Sequence, residues 1–257
     1  MNRKGYIKKQ LTNNKNRDME ENSIMKTVGI IGAMEVEVER LKKDMVIQRE
    51  VKKAGMEFCE GILMGQPAVV VRSGIGKVNA AVCTQILVDE FQAEVIINTG
   101  IAGSLNAQID IGDIVISTDV VHHDMDAVHF GYEPGQIPQM NVFSFAADQE
   151  LIERAEKVCC EVNPEIHVFR GRVVSGDQFV ADKAVKEKIT AQFQGFCTEM
   201  EGAAIAQASY LNGVPFVILR AISDKADDSA TEDYPTFERK AAEHCVNLVE
   251  GLLRSGL

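Results

Sequence analysis

Short runs that are apolar on both faces alternate along this chain with longer stretches in which apolar positions recur at helical spacing. The runs Thr27–Ala33, Glu94–Thr99 and Val214–Ser223 have no polar face, which predicts strands covered on both sides by helices. Gly112–Val121 and His167–Val174 read as further strands, and Met56–Leu63 with Ala68–Arg72 as a hairpin about Gly65-Gln66-Pro67. Helical periodicity predicts Met34–Met45, Lys77–Phe91, Ala147–Glu161, Asp182–Phe193, Glu201–Tyr210 and Thr236–Leu253. An acidic loop, Asp224–Asp233, separates the last strand from the last helix. The alternation predicts the α/β class: a single three-layer α/β/α sandwich on a mixed, largely parallel central sheet. Neither an internal repeat nor an interdomain linker interrupts it.

Composition narrows the class of function. The 257 residues suffice for one sizeable domain, and a 46% hydrophobic content supports a full core. A formal charge of −11 argues against a nucleic-acid or anionic-membrane surface, and no apolar stretch approaches a membrane span. The six cysteines form no C-x-x-C pair, so neither a disulfide framework nor a zinc knuckle is indicated and a reducing cytoplasm is expected. Residues 1–24, rich in Lys, Asn and Arg, lack the apolar core of a signal peptide. They read as a disordered tail ahead of a domain over 25–257, with Met25 a possible true start.

Four segments concentrate chemistry. The run ending in Arg220, Ser223 and Asp224 places charged groups at the carboxyl end of a buried strand, where ligands of open α/β sheets bind. Glu199-Met200-Glu201 sets two carboxylates around a thioether where another strand meets a small-residue helix. Such a pair is either a solvated set of acids or a grip for vicinal hydroxyls. Glu35, Glu37 and Glu39 alternate in a first helical turn, which the helix dipole alone would explain and where Glu37 is also a candidate catalytic acid. Val174–Val180 ends a strand in a turn bearing Phe179, suited to stacking on a flat heterocycle. Arg72–Lys77 opens like a dinucleotide fingerprint but lacks the third glycine, so it reads as a tight turn whose amides could line a polar ligand. His122, His123, Asp124, Asp126 and His129 match no standard zinc spacing.

Taken in order, G-I-I-G-A-M-E-x-E-V at 29–38, S-G-I-G-K-V at 73–78, I-I-N-T-G at 96–100, H-D-x-D with F-G-Y-E-x-G-Q-x-P over 123–138, V-S-G-D-x-F at 174–179, E-M-E-x-x-A-I-A at 199–206 and R-A-I-S-D at 220–224 resemble the bacterial methylthioadenosine/S-adenosylhomocysteine nucleosidases, within the purine nucleoside phosphorylase superfamily. The resemblance spans essentially all of 26–254. It implies hydrolysis of the N-glycosidic bond of 5′-thio-substituted adenosines, and of 5′-deoxyadenosine, to adenine and a 5-substituted ribose, with no metal and no cofactor. It implies Asp224 as general acid at adenine N7, Glu37 as the base that activates water, and Arg220 as support for that base or the water. Glu201, with Glu199 beside it, would hold the ribose hydroxyls, and Met200 would lie under the sugar. Phe179 would stack on adenine with the Val180 backbone at its edge, and Ser223 would adjoin Asp224. Met34, Ile75, Ile101 and Phe237 would line the remaining pocket. Phe130 and Pro138 would reach the neighbouring subunit's site in a homodimer.

One position departs from the pattern: Ile101 stands where many relatives carry Ser, which puts water positioning in question unless Thr99 or Ser104 compensates. A phosphorolytic relative would carry a G-D-P-x-R-like phosphate loop after the first strand, where Glu37 would instead repel phosphate. A nucleoside-binding protein without turnover would need no acid paired with a base.

Overall fold

The computed structural model describes residues 25–227 and 229–257. The expectations for residues 1–24, and for part of the acidic loop, lie outside the described residues. Strand β1 (Val28–Gly32) leads into α1 (Glu35–Asp44), and β2 (Val46–Lys53), β3 (Met56–Leu63) and β4 (Gln66–Arg72) form a meander. Next come α2 (Lys77–Phe91), β5 (Val95–Ser104), β6 (Ile114–His122), the two-residue β7 (Phe145–Ala146), α3 (Gln149–Val162) and β8 (Val168–Ser175). The chain closes with α4 (Lys183–Phe193), β9 (Cys197–Glu199), α5 (Gly202–Asn212), β10 (Phe216–Asp224) and α6 (Ala230–Ser255). Among the described residues no helix is long and apolar enough to cross a membrane.

Among the described residues ten strands join one mixed sheet, nine of them in the order β10-β6-β8-β9-β5-β1-β4-β3-β2, with β7 paired to β6. Because β10 also pairs with β5, strands β5, β10, β6, β8 and β9 form a closed ring, and β1, β4, β3 and β2 extend from it as an open wing. Five pairings are parallel and five antiparallel, so the sheet is less parallel than its apolar runs suggested. The antiparallel pairs are the β2-β3-β4 meander, the contacts of β6 with β10 and β7, and the end of β5, which pairs in parallel with both β1 and β10 before it meets β9. The first half of β5 pairs with β1, and Gly103 and Ser104 turn to pair with β9.

Successive residues of each strand feed opposite layers, as a period of two requires. Ile30, Ile97 and Leu219 pack with α1, α3 and α6 on one side, whereas Ile31, Ile96 and Ile218 pack with α2 and α5 on the other. A smaller core around α4 gathers Leu105, Val121, Val174, Val180 and Phe193.

Two boundaries differ from expectation. Strand β2 (VIQREVKK) is exposed along nearly its whole length and pairs only with β3, so it carries no buried face that a pattern could reveal. Helix α6 begins at Ala230 rather than Thr236, and Pro235 lies inside it. Proline is most common in the first turn because it has no N–H to donate, which places the start too late when the pattern is read alone.

Candidate functional site

Three parallel neighbours, β1, β5 and β10, end side by side, and their carboxyl ends floor a cavity of about 600 Å³. At the end of β1 the chain turns through Ala33 and Met34 into α1, and Glu37, at the third helical position, folds its carboxylate back over that turn. Its Oε2 accepts the amides of Ala33 (2.7 Å) and Met34 (2.9 Å), and its Oε1 accepts the amide of Ile101 on β5 (3.1 Å). First-turn amides have no partner within a helix, so a carboxylate three residues on is a natural acceptor. Glu37 is almost wholly buried, and burial raises its pKa above the usual Glu value against the opposing pull of Arg220 and the three amides. Gly100 makes this approach possible: a Cβ there would strike both the Glu37 carboxylate and the Arg220 guanidinium.

Arg220 is 1% exposed and lies within β10, four residues before its end. The sequence grouped it with Ser223 and Asp224 at the strand's tip, and the structure sinks it below the cavity floor, outside the lining. Its Nη2 donates to Asn98 Oδ1 (2.6 Å) and Glu199 Oε2 (2.5 Å) and lies 3.7 Å from Glu201 Oε2. Its link to Glu37 is charge alone. Burial would weaken the guanidinium's hold on its proton, but Glu199, Glu201 and Glu37 together strengthen it beyond the ordinary Arg range.

Glu199 and Glu201, two residues apart, divide into different states. Burial opposes ionisation of Glu199, but Arg220, the Ser175 hydroxyl and the Gly202 amide outweigh it, and its pKa falls. Its oxygens also accept Glu201 N (3.0 Å) and Gly202 N (2.7 Å), so they are committed to the protein. Ser175 in turn accepts the Ala203 amide, which locks the start of α5. Glu201 is pushed up to about 8 by burial and by the charge of Glu199, and its Oε1 accepts only the Gly76 amide (2.8 Å). Its Oε2 makes no hydrogen bond among the described residues and lies 3.7 Å from the Arg220 guanidinium. The Arg72–Lys77 turn therefore serves a carboxylate of the protein itself.

Asp224 closes β10 on the far side of β5 from Glu37. Its Oδ1 accepts Ala226 N and its Oδ2 the Ser223 hydroxyl, both at 2.8 Å. Burial raises its pKa, and Asp233 and Asp227 add to the effect. Gly103 admits the carboxylate, since a Cβ there would lie 2.7 Å from Oδ1.

Met34, Ile75, Ile101, Phe179, Val180, Met200 and Ser223 complete the lining beside Glu37, Glu199, Glu201 and Asp224. Phe179 is 49% exposed and stands edge-on to Tyr234, with ring centroids 5.6 Å apart. One residue expected in this lining is elsewhere. Phe237 does not line the cavity; Tyr234, one helical turn earlier, does, together with Thr231 and Pro235. The late expected start of α6 hid this turn. The Tyr234 hydroxyl lies 3.1 Å from Met34 Sδ. Phe130 and Pro138, expected to serve a neighbouring subunit's site, lie outside this cavity, and Phe130, in a 3-10 turn, is 85% exposed. At Ile101 the polar contact is made by its backbone amide. Ser104 is committed to Asn106 O (2.8 Å), and the buried Thr99 hydroxyl has no partner among the described residues. His122 Nε2 lies 3.0 Å from Gln207, and among the described residues no group of three or more His, Cys, Asp or Glu could hold a metal.

Comparison with known proteins places these features in context. A family model described as the phosphorylase superfamily matches residues 27–254. The chain is 44% identical over 231 residues to the 5′-methylthioadenosine/S-adenosylhomocysteine nucleosidase of Chromohalobacter salexigens, covering 90% of this chain and 97% of the relative. It is similar to the structure of the nucleosidase of the same name from Neisseria meningitidis in complex with methylthio-immucillin-A, with a TM-score of 0.86, 41% identity, and coverage of 90% of this chain and 100% of that one. The corresponding Colwellia psychrerythraea 34H protein in complex with adenine gives a TM-score of 0.86 at 39% identity, covering 89% and 95%.

Proposed function

The chain belongs to the 5′-methylthioadenosine/S-adenosylhomocysteine nucleosidases of the phosphorylase superfamily, which makes it an N-glycosyl hydrolase, and from that premise we propose its substrates and the work of its residues. It cleaves 5′-methylthioadenosine and S-adenosylhomocysteine, and also 5′-deoxyadenosine, between adenine and the 5-substituted ribose. The observation that carries this reading is the pair of buried carboxyl groups with raised pKa, Glu37 and Asp224, at the ends of two strands that flank β5. Strands lie about 4.8 Å apart, so two intervals set the carboxyl ends of β1 and β10 roughly 10 Å apart, and Glu37 folds back from α1 over the end of β1. That spacing admits a glycosidic bond and an attacking water between acid and base, the arrangement direct hydrolysis requires.

Burial raises the Asp224 pKa and favours its protonated form, which donates to N7 of adenine and makes the base a competent leaving group. Positive charge then grows on the ribosyl carbon and ring oxygen, and the carboxylates around Arg220 stabilise it. Glu37 takes a proton from the water that attacks the opposite face. Glu201, with one oxygen free, receives the ribose hydroxyls, and Met200 packs beneath the sugar. Phe179 covers the purine. Arg220 is a positioning residue: it sets the charge balance of Glu37, Glu199 and Glu201 from below.

Phosphorolysis is disfavoured by the same geometry. The amides of Ala33, Met34 and Ile101, which an incoming phosphate would need, already serve Glu37. The test is adenine release from methylthioadenosine in phosphate-free buffer. Turnover without phosphate is expected, and a strict requirement for phosphate would overturn hydrolysis. We also propose a homodimer, supported by exposed Phe130, Val128 and Phe143 on one stretch of chain.

A further inference from the structure

We propose that Lys77, Asp124 and Asp177 form a positioning clamp that holds the ribose end and the purine end of the cavity in register; the names of those ends rest on the nucleosidase reading above. The three residues come from three separate loops, after β4, β6 and β8, and close a ring. Lys77 N donates to Asp177 Oδ1 (2.9 Å), Asp177 N donates to Asp124 Oδ2 (3.0 Å), and Lys77 Nζ donates to both oxygens of Asp124 (2.7 Å each). Each member adjoins a working residue. The amide before Lys77, that of Gly76, holds Glu201, and the residues after Asp177 are Gln178, Phe179 and Val180.

Consecutive amides at the start of α2 are thus divided between the two halves of the cavity: Gly76 serves Glu201, and Lys77 serves the Phe179 loop. Gly76 is held at φ +97° between them, and a side chain there would meet Asp177 Oδ1 at 3.2 Å. Gly176 plays the same part on the other loop, where a Cβ would collide with the His123 ring. Two glycines therefore bring the three loops to within reach of one lysine.

Stability does not account for this ring. Its ion pair is partly solvated, with side chains 21% and 29% exposed, and such pairs contribute little to folding. What the ring does set is the distance from the Glu201 carboxylate to the Phe179 ring. Opening it at Asp124 leaves the two loops joined only by the Lys77 amide on Asp177 Oδ1, which loosens their register and the hold of the Gly76 amide on Glu201. Bound substrate and transition state both use that distance, so the loss appears in affinity and KM more than in kcat.

The experiment compares the full chain with Lys77→Met, Asp124→Ala, the double variant and Lys77→Arg. Three quantities are read: kcat and KM for methylthioadenosine, Kd for a 7-deaza adenine nucleoside that cannot be cleaved, and Tm. Each single variant is expected to weaken Kd and raise KM about tenfold, with kcat within about threefold and Tm within about 3 °C. The double variant is expected to be no worse than the singles, because either change opens the same ring. Lys77→Arg is expected to keep most of the affinity. Values of Kd and KM within twofold of native in both single variants would overturn the clamp, as would additive losses or losses that track Tm. A native chain that binds the analogue but releases no adenine would defeat the hydrolase reading, while the Kd comparison would still decide the clamp.

Discussion

Replacing Arg220 with Met removes the guanidinium that three buried carboxyl groups share. The pair with Glu199 is almost fully enclosed, with side chains 1% and 3% exposed. Breaking such a pair from one side costs about 3–5 kcal/mol at neutral pH, because the remaining charge has lost its partner. The pH dependence identifies the mechanism. In the native protein the lowered pKa of Glu199 contributes stability above the ordinary Glu pKa, and that contribution is lost as pH falls. Glu37 and Glu201, both raised, act in the opposite sense and subtract stability as pH climbs, for Glu201 up to about 8. Without Arg220, Glu199 passes from the first class to the second. The penalty of the variant should therefore grow with pH, by up to about 1.4 kcal/mol per unit while Glu199 remains protonated in the folded variant. Between pH 5 and pH 8 the difference should widen, by at most about 4 kcal/mol on that slope. The chain has no Trp, so urea unfolding followed by far-UV circular dichroism is the suitable assay. An equal penalty at both pH values would refute the shared-charge account.

Three further outcomes are expected. Asp224→Asn should lower adenine release by at least about 10³-fold, within the range for a lost general acid, while analogue binding stays within about threefold; equal losses of binding and turnover would make Asp224 an affinity residue. The acid limb of the kcat/KM profile should lie above pH 4.5, because Glu37 must be ionised to act as base and burial raises its pKa; full activity at pH 4.5 would remove Glu37 from that role. Phe130→Glu should shift the mass measured by light scattering from twice 28.2 kDa to a single chain and reduce activity with it; a native protein of single-chain mass would exclude the dimer.

The parts of this structure that a sequence reveals are those whose burial leaves a period. Strands β1, β5 and β10 are apolar on both faces because helices cover both, and their ends could be placed before any coordinates. Glu37 and Asp224 followed from those ends. Strand β2 left no trace, since an edge strand with both faces exposed needs no apolar residue. The depth of Arg220 is not legible in the sequence, because only the pairing with Asn98 and Glu199 shows how a charge can lie inside a sheet. Tyr234 was overlooked in favour of Phe237 because Pro235 disguised the first turn of α6. The ring through Lys77, Asp124 and Asp177 joins residues 47 and 100 positions apart, a distance no local pattern spans.

The closed ring of strands also sets an order of assembly. Strand β10 fits between β5 and β6, which leave the ribosome long before it, so both wait with an unpaired edge until the last third of the chain has emerged. Exposed edges of that kind invite pairing with other chains, and long-range closure is slow. The strand that seals the gap also carries Arg220 and Asp224. Before it docks, Glu37, Glu199 and Glu201 have no counter-charge and cannot be buried together without taking up protons. Closure of the sheet and assembly of the charged cavity floor thus go together, late in the making of the chain.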